Sequence, residues 1–179
     1  MSQQTNWMLK FMHVLAWIAF IGLCVKAGTV IVGYCVGEFR NPAASWDLYM
    51  GLDLSQLKAA DPVAYSILVF CVVGILVMEA FLFYFLVLMF RKINFVHPFH
   101  EAIGKLITRM SLLSLFIGIL SKLTVDFSNR YVKEGMQFPH LNEHIGQGEA
   151  FLFFAGILFV IATVFKKGIE MQKENELTV

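Results

Sequence analysis

Residues 63–90 read VAYSILVFCVVGILVMEAFLFYFLVLMF, and Glu79 is the only charged residue in this run. About 20 apolar residues in an α-helix span the roughly 30 Å of hydrocarbon in a bilayer. Asp61-Pro62 directly precedes the run. This pair is typical of a helix start, because aspartate caps the first free amides and proline suits the first turn. We therefore predict a transmembrane helix over 63–90.

Three further apolar runs have the length of a transmembrane helix, near 10–36, 104–125 and 149–165. The composition agrees, since 58% of the 179 residues are hydrophobic and 15% are charged, against about 45–50% and 25% in soluble domains. The first run is longer than the apolar part of a signal peptide and lacks an A-x-A-like cleavage site, so we expect it to be retained. The sequence predicts one all-α domain, a polytopic bundle of four transmembrane helices.

Basic residues predict the orientation of these helices, because cytoplasmic flanks carry the excess of Lys and Arg. Eight basic residues fall on the side of the chain ends: Lys10, Arg91, Lys92, Lys105, Arg109, Lys166, Lys167 and Lys173. Four fall on the side of the two long loops: Arg40, Lys58, Arg130 and Lys133. We therefore expect both termini in the cytoplasm, where 166–179 would form a charged tail.

On each predicted span, a charged residue lies beside a face of small residues at helical spacing: Lys26, Glu79, Lys122 and Glu149. A charge at membrane depth costs about 2.5–3.5 kcal/mol on insertion scales and normally faces the interior with a partner. We expect a buried polar cluster, with Lys26 close to Glu79 and Lys122 close to Glu149. This cluster either holds the helices together or lines a cavity for an ion or small solute, with Glu79 as its protonatable centre.

Small residues form regular faces on three of the spans. The third span has the clearest pattern, with a repeat every three or four residues: Gly104, Thr108, Ser111, Ser114, Gly118 and Ser121. On the fourth, Glu149, Gly156 and Thr163 follow one another at intervals of seven, flanked by Ala155 and Ala162. On the first, Gly22, Gly33 and Gly37 share a face with Lys26, and the last two form a GxxxG motif, which permits a homo-oligomer. Transport would require one, because four helices do not easily enclose a pore.

His140-Leu141-Asn142-Glu143-His144 fits the H-x-x-E-H pattern of zinc enzymes, in which two helical histidines bind zinc and the glutamate acts as base. We treat His140, Glu143 and His144 as weak metal candidates. The loop that holds them leaves little room for a catalytic cleft, and Glu149 is the only acidic residue placed to complete the site.

Haem binding is a further alternative, with His13 and either His97 or His100 as axial ligands. His97-Pro98 and His100 are explained more simply as the start of the third span. The cysteines lie in apolar runs without CxxC spacing, which favours packing roles: Cys24, Cys35 and Cys71. No phosphate-binding glycine loop, nucleophile elbow or pair of catalytic carboxylates is evident, so we expect no cofactor and consider an enzyme the less favoured class. A net charge of +1 argues against nucleic acid as a ligand.

Two segments on the predicted cytoplasmic side carry a family resemblance: Pro98-Phe99 and the closing FKKGIEMQKENELTV, 165–179. Together with the four-span topology they resemble the bacterial membrane family catalogued as domain of unknown function 2975. In that family a basic pair and a glycine, then a Glu-rich stretch and Leu-Thr-Val, typically close the chain. The resemblance implies a bacterial inner-membrane protein, often encoded beside a small helix-turn-helix regulator, and it implies no activity.

Our leading hypothesis is a non-enzymatic membrane protein that acts in signalling or regulation through a cytoplasmic protein partner. The tail is the candidate contact: Lys166, Lys167, Glu170, Glu174, Leu177 and Val179. Its charges also fit a solvated helix held by ion pairs three or four residues apart. The alternative is a small transporter, channel subunit or solute-binding bundle that uses Glu79 with Lys26 and Lys122. A haem or metal protein is the second alternative.

Overall fold

A computed structural model describes residues 3–39, 47–93 and 100–177, with side chains described from 7 to 174 within these ranges. Six α-helices follow in order: α1 (Gln3–Phe39), α2 (Ser55–Ala60), α3 (Pro62–Lys92), α4 (Glu101–Lys133), α5 (Leu141–Ile145) and α6 (Gly148–Leu177). Four of them, α1, α3, α4 and α6, are long and apolar enough to cross a membrane. The all-α fold with four candidate spans is therefore confirmed. The predictions for Arg40, His97, Pro98-Phe99 and Val179 lie outside the described residues.

The four long helices extend beyond the apolar runs. α4 has 33 residues and ends at Lys133, so 126–133 is helical rather than part of a loop. α6 has 30 residues and is about 45 Å long at 1.5 Å per residue, compared with about 30 Å of hydrocarbon. The tail continues this helix as far as Leu177. The predicted spans are shorter because hydropathy detects only the apolar part of each helix.

α3 lies between α1 and α4, and α4 packs along α6. The rings of His13 and Phe90 are 6.4 Å apart, so the start of α1 meets the end of α3. Lys173 Nζ donates to Glu101 Oε1 at 2.6 Å, so the end of α6 meets the start of α4. Both chain ends therefore lie at the same end of the molecule. α1 and α6 share few contacts, which makes the bundle open on one side.

The connections at the opposite end form a loop cap, which we define as residues 47–61 and 134–147. Its leucine and isoleucine side chains are at most 3% exposed: Leu48, Leu52, Leu54, Leu57, Leu141 and Ile145. Lys58 Nζ contacts Glu38 Oε1 at 2.9 Å and donates to Gly37 O at 2.8 Å, which ties α2 to the end of α1. The hydrophobic core thus continues past the helix ends into the loop cap.

Asp61 joins the loop cap to α3 and α4. Its carboxylate accepts hydrogen bonds from Val63 N at 3.1 Å and Ala64 N at 3.0 Å, which confirms the predicted helix start. Tyr131 Oη, near the end of α4, donates to the same carboxylate at 3.1 Å. The bond from Ala64 N is the main reason that the pKa of Asp61 lies below its usual value, and the bond from Tyr131 lowers it further.

α4 and α6 approach most closely at two glycines. A Cβ atom on Gly118 would lie 2.7 Å from Leu152 Cγ and 2.9 Å from Gly148 O. A Cβ atom on Gly148 would lie 2.9 Å from Gly118 O. Real Cβ atoms do not approach other atoms so closely, so the helices reach this distance only because both positions are glycine.

Two serines of α4 form hydrogen bonds beside this contact. Ser111 Oγ donates to Ala155 O of α6 at 3.0 Å, and Ser121 Oγ donates to Ile145 O, at the end of α5, at 2.9 Å. Hydrogen bonds of this kind between helices contribute about 0.6 kcal/mol each on average in a membrane protein. The small polar face predicted on the third span is therefore the surface of α4 that binds α6.

The predicted small-residue face of α6 is only partly buried, on the side of its flanking alanines. Glu149, Gly156 and Thr163 are all exposed, whereas Ala155 and Ala162 are buried. The alanines precede Gly156 and Thr163 by one residue, which turns the contact face by about 100°. Both faces carry small residues, and the sequence pattern alone does not distinguish them.

We expect Gly118→Val to destabilise the protein by about 1–3 kcal/mol, because added volume in a close-packed contact forces the helices apart. Gly156→Val is the matched control, since a Cβ atom there meets nothing within 4 Å. Thermal unfolding of both purified variants measures the difference. Equal unfolding midpoints for the two variants would contradict the glycine contact.

We expect the stabilisation provided by Asp61 to depend on pH. Because its pKa in the folded protein lies below 3.8, its contribution is complete above about pH 4 and is lost as the pH falls through the lowered pKa. The difference in Tm between the wild type and Asp61→Ala should be widest near neutral pH and narrow below pH 3.8. Asp126→Ala, at an exposed carboxylate, serves as control. A Tm difference that is constant between pH 7 and pH 3 would contradict stabilisation by the ionised carboxylate of Asp61.

Candidate functional site

Lys26 and Glu79 lie at nearly the same depth in the membrane-spanning part. Two aromatic pairs between α1 and α3, each with ring centroids 5.7 Å apart, flank this level: Phe20–Tyr84 and Tyr34–Phe70. Since the helices are antiparallel, these pairs place position 78 opposite Lys26. Glu79 is one residue away from that level, or about 1.5 Å along the helix axis.

A cavity of about 360 Å³ opens beside these two residues. Its lining combines one ammonium group and one carboxylate with apolar and aromatic walls: Ala19, Gly22, Leu23, Lys26, Tyr49, Glu79, Leu82, Phe83 and Phe151. α1, α3, the loop cap and the start of α6 all contribute, so the cavity lies where the bundle is open. Its volume falls within the range of about 300–1,000 Å³ typical of small-molecule sites.

The two charged groups line the same cavity without a direct contact. Lys26 Nζ donates a hydrogen bond to Glu143 O at 3.3 Å. Within the described ranges, no salt bridge of 4.0 Å or less joins them. The expected proximity is present, but the ammonium group binds a backbone carbonyl of the loop cap and leaves the carboxylate facing the cavity.

Gly146 covers the carboxylate of Glu79 from the side of the loop cap. A Cβ atom on Gly146 would lie 3.2 Å from Glu79 Oε1, and the backbone has φ +74°. Both features favour glycine, because other residues rarely adopt this conformation and their side chains would crowd the carboxylate. The loop cap therefore reaches down to the level of Glu79 just before α6 begins.

Lys122 and Glu149 form the expected ion pair, with Lys122 Nζ 3.2 Å from Glu149 Oε1, but their side chains are 55% and 85% exposed. The expectation that they belong to one buried cluster with Lys26 and Glu79 is therefore wrong. α4 turns Gly118 and Ser121 toward α6, which directs the neighbouring Lys122 away from the helix interface. An exposed pair of this kind contributes about 0–1 kcal/mol to stability.

The H-x-x-E-H segment is not arranged as in a zinc enzyme. α5 begins at Leu141, and His140 precedes it with φ +58°, so the two histidines do not lie on one helix as the motif requires. His140 Nδ1 lies 2.9 Å from Glu143 Oε1, and His144 is 3% exposed and packs edge-on against Tyr49. Among the described side chains, no group of three or more His, Cys, Asp or Glu is placed to hold a metal ion.

The haem candidates that are described have other roles. His13 Nε2 accepts a hydrogen bond from Trp17 Nε1 at 3.2 Å. His100 Nδ1 accepts one from Ala102 N at 3.2 Å, which caps the start of α4. α3 separates α1 from α4, so His13 and His100 do not face each other across a common gap.

The tail is a helix held against the start of α4. Lys173 bonds Glu101 at 2.6 Å, and Lys167 Nζ lies 3.3 Å from Glu170 Oε2. The predicted partner-binding residues whose side chains are described are all exposed: Lys166, Lys167, Glu170 and Glu174. Leu177 ends α6.

Sequence reasoning missed most of the cavity wall. Gly22 precedes Lys26 by four residues, and helical spacing correctly placed it on the face of Lys26. Phe83 follows Glu79 by four residues, so the same spacing could have identified it. Tyr49 and Phe151 come from the loop cap and from α6. No local pattern connects either residue to Glu79.

The fold and the cavity define a class: an all-helical protein with four membrane-span-like helices and a charged cavity between them. No family model, curated protein or solved structure matches the chain. The resemblance carried by the tail stays a prediction, and the function has to be inferred from the cavity.

Proposed function

We propose that this integral membrane protein binds a small zwitterionic solute, such as an amino acid or a related amino-carboxylate, in the cavity bounded by α1, α3, the loop cap and the start of α6. The observation that supports this proposal is the placement of Lys26 and Glu79 on one cavity wall without a direct ion pair. Lys26 would receive the anionic group of the solute and Glu79 the cationic group. Tyr49, Phe83 and Phe151 would contact its apolar part.

The energetics of charge at membrane depth favour this function over a purely structural role. An ionisable side chain in a membrane span is costly and is by default a candidate for function. A structural pair would gain most from direct contact, whereas Lys26 and Glu79 are held apart by the loop cap. Helix packing is provided elsewhere, by the glycines between α4 and α6 and by the serines beside them.

We further propose that the chain ends face the cytoplasm of a bacterial cell, so that the loop cap and the cavity lie toward the outer side. The excess of basic residues at the chain-end side supports this orientation. Movement of the solute across the membrane would require a second copy, and the GxxxG motif is not free to recruit one. A Cβ atom on Gly33 would lie 2.9 Å from Leu48 O, and Gly37 is buried and binds Lys58.

We expect Glu79→Gln to weaken solute binding by about 10- to 100-fold, because a hydrogen bond to a charged group contributes about 1.5–3 kcal/mol. The measurement is the shift of Tm with concentration for three panels of compounds: zwitterionic amino acids, simple amines and simple carboxylates. Zwitterions should stabilise the wild type most. Glu149→Gln, at an exposed carboxylate, should behave like the wild type.

Two results would count against the binding site. One is equal stabilisation of the wild type and Glu79→Gln by the same zwitterion. The other is a wild-type protein that none of the three panels stabilises.

We propose a second role for the tail as a contact for a cytoplasmic protein. α6 extends beyond the length needed to span the hydrocarbon, and Lys173 in its charged end forms an ion pair with Glu101 at the start of α4. This docking presents Lys167, Glu170 and Glu174 in a fixed arrangement.

We expect Lys167→Gln combined with Glu174→Gln to lose a protein that the full chain captures from its native membranes after cross-linking. In the control, glutamine replaces both Lys133 and Glu134, two exposed residues at the opposite end of the molecule. Identical captured proteins for all three chains would exclude the tail as a specific contact.

A further inference from the structure

A second cavity lies between α4 and α6 at the end of the molecule that carries the chain termini. It has a volume of about 900 Å³. Its lining is charged toward the chain ends and apolar toward the middle of the helices, with side chains such as Leu112 and Phe159. We call it the basal groove, and it is separate from the cavity at Glu79.

The basal groove carries more positive than negative charge. Four cations and two carboxylates line it: Lys105, Arg109, Lys166, Lys173, Glu101 and Glu170. Glu101 is paired with Lys173 at 2.6 Å and lies 3.8 Å from Lys105, and Glu170 is paired with Lys167 at 3.3 Å. In the part of the chain that the structure describes, Arg109 and Lys166 have no acidic partner.

The polar and apolar parts of the groove follow the direction of the membrane. Lys166 lies where the apolar part of α6 ends, and Arg109 is two turns into α4. Leu112 and Phe159, 53% and 66% exposed, lie deeper toward the hydrocarbon. This order of charge followed by apolar surface matches a phospholipid, whose phosphate lies at the interface and whose acyl chains point inward.

We propose that the basal groove binds an anionic phospholipid of the leaflet on the side of the chain ends. Arg109 and Lys166 contact the phosphate, and an acyl chain lies over Leu112 and Phe159. The excess of positive charge favours an anionic headgroup over a zwitterionic one. Basic pockets between transmembrane helices are a known way of recognising such headgroups.

The test uses delipidated full-length protein and compares three additions by their effect on Tm: phosphatidylglycerol, phosphatidylcholine and inorganic phosphate. We expect phosphatidylglycerol to bind more tightly than phosphatidylcholine, and inorganic phosphate to have little effect. Because each basic group near a membrane surface contributes about 1 kcal/mol, Arg109→Gln with Lys166→Gln should reduce the affinity for phosphatidylglycerol about thirtyfold.

The control is Lys10→Gln with Lys92→Gln, which removes the same charge at the same end from exposed positions outside the groove. This control variant should retain the wild-type preference for phosphatidylglycerol over phosphatidylcholine. Equal losses in both double variants would show general attraction and overturn the proposal, as would no loss in either. Inorganic phosphate that binds as tightly as the lipid would identify a free-anion site instead.

Discussion

The contact between Gly118 and Gly148 fixes the position of α6, and much of the rest of the structure follows from that position. Water does not drive helices together inside hydrocarbon, so close packing and hydrogen bonds between helices must do so. The two glycines and the serines beside them provide both. Because α6 begins at Gly148, the residues of the loop cap that precede it lie beside α4, and Gly146 lies next to Glu79.

The same contact explains why a cavity exists. α6 is held against α4, and α1 is held against α3 by aromatic contacts along its length. α1 and α6 are left apart, with Phe151 and Tyr49 lining the gap between them. Lys26 and Glu79 face this gap and form no direct ion pair with each other. A polar solute therefore suits the gap better than a lipid chain does.

The sequence predicted the features that depend on neighbouring residues. The four apolar helices, the Asp61 cap and the small polar face of α4 all follow from local spacing and composition. The rotation of α6 could not be predicted, because Ala155 and Gly156 offer equally small faces. Nor could the exposure of Lys122, which depends on how closely Gly118 approaches its partner helix. Tyr49 and Phe151 reach the cavity only through contacts between distant parts of the chain.

Two sites of opposite character thus share one scaffold. The cavity near the loop cap is balanced in charge and has aromatic walls, which suits a zwitterion. The basal groove carries excess positive charge above an apolar floor, which suits an anionic lipid. α6 contributes to both, since Phe151 is near its first turn and Lys166 is near its exit from the hydrocarbon.

If the cavity binds a polar solute, the space beside Lys26 and Glu79 is hydrated and is not a closed helix contact. Cysteine labelling tests it most directly, in a protein whose Cys24, Cys35 and Cys71 are replaced by alanine. Gly22 lines the cavity and Gly156 faces outward on α6, and a Cβ atom meets nothing within 4 Å at either position. We expect a small water-soluble methanethiosulfonate reagent to modify Gly22→Cys quickly and Gly156→Cys slowly. Equal and slow modification at both positions would contradict a hydrated cavity.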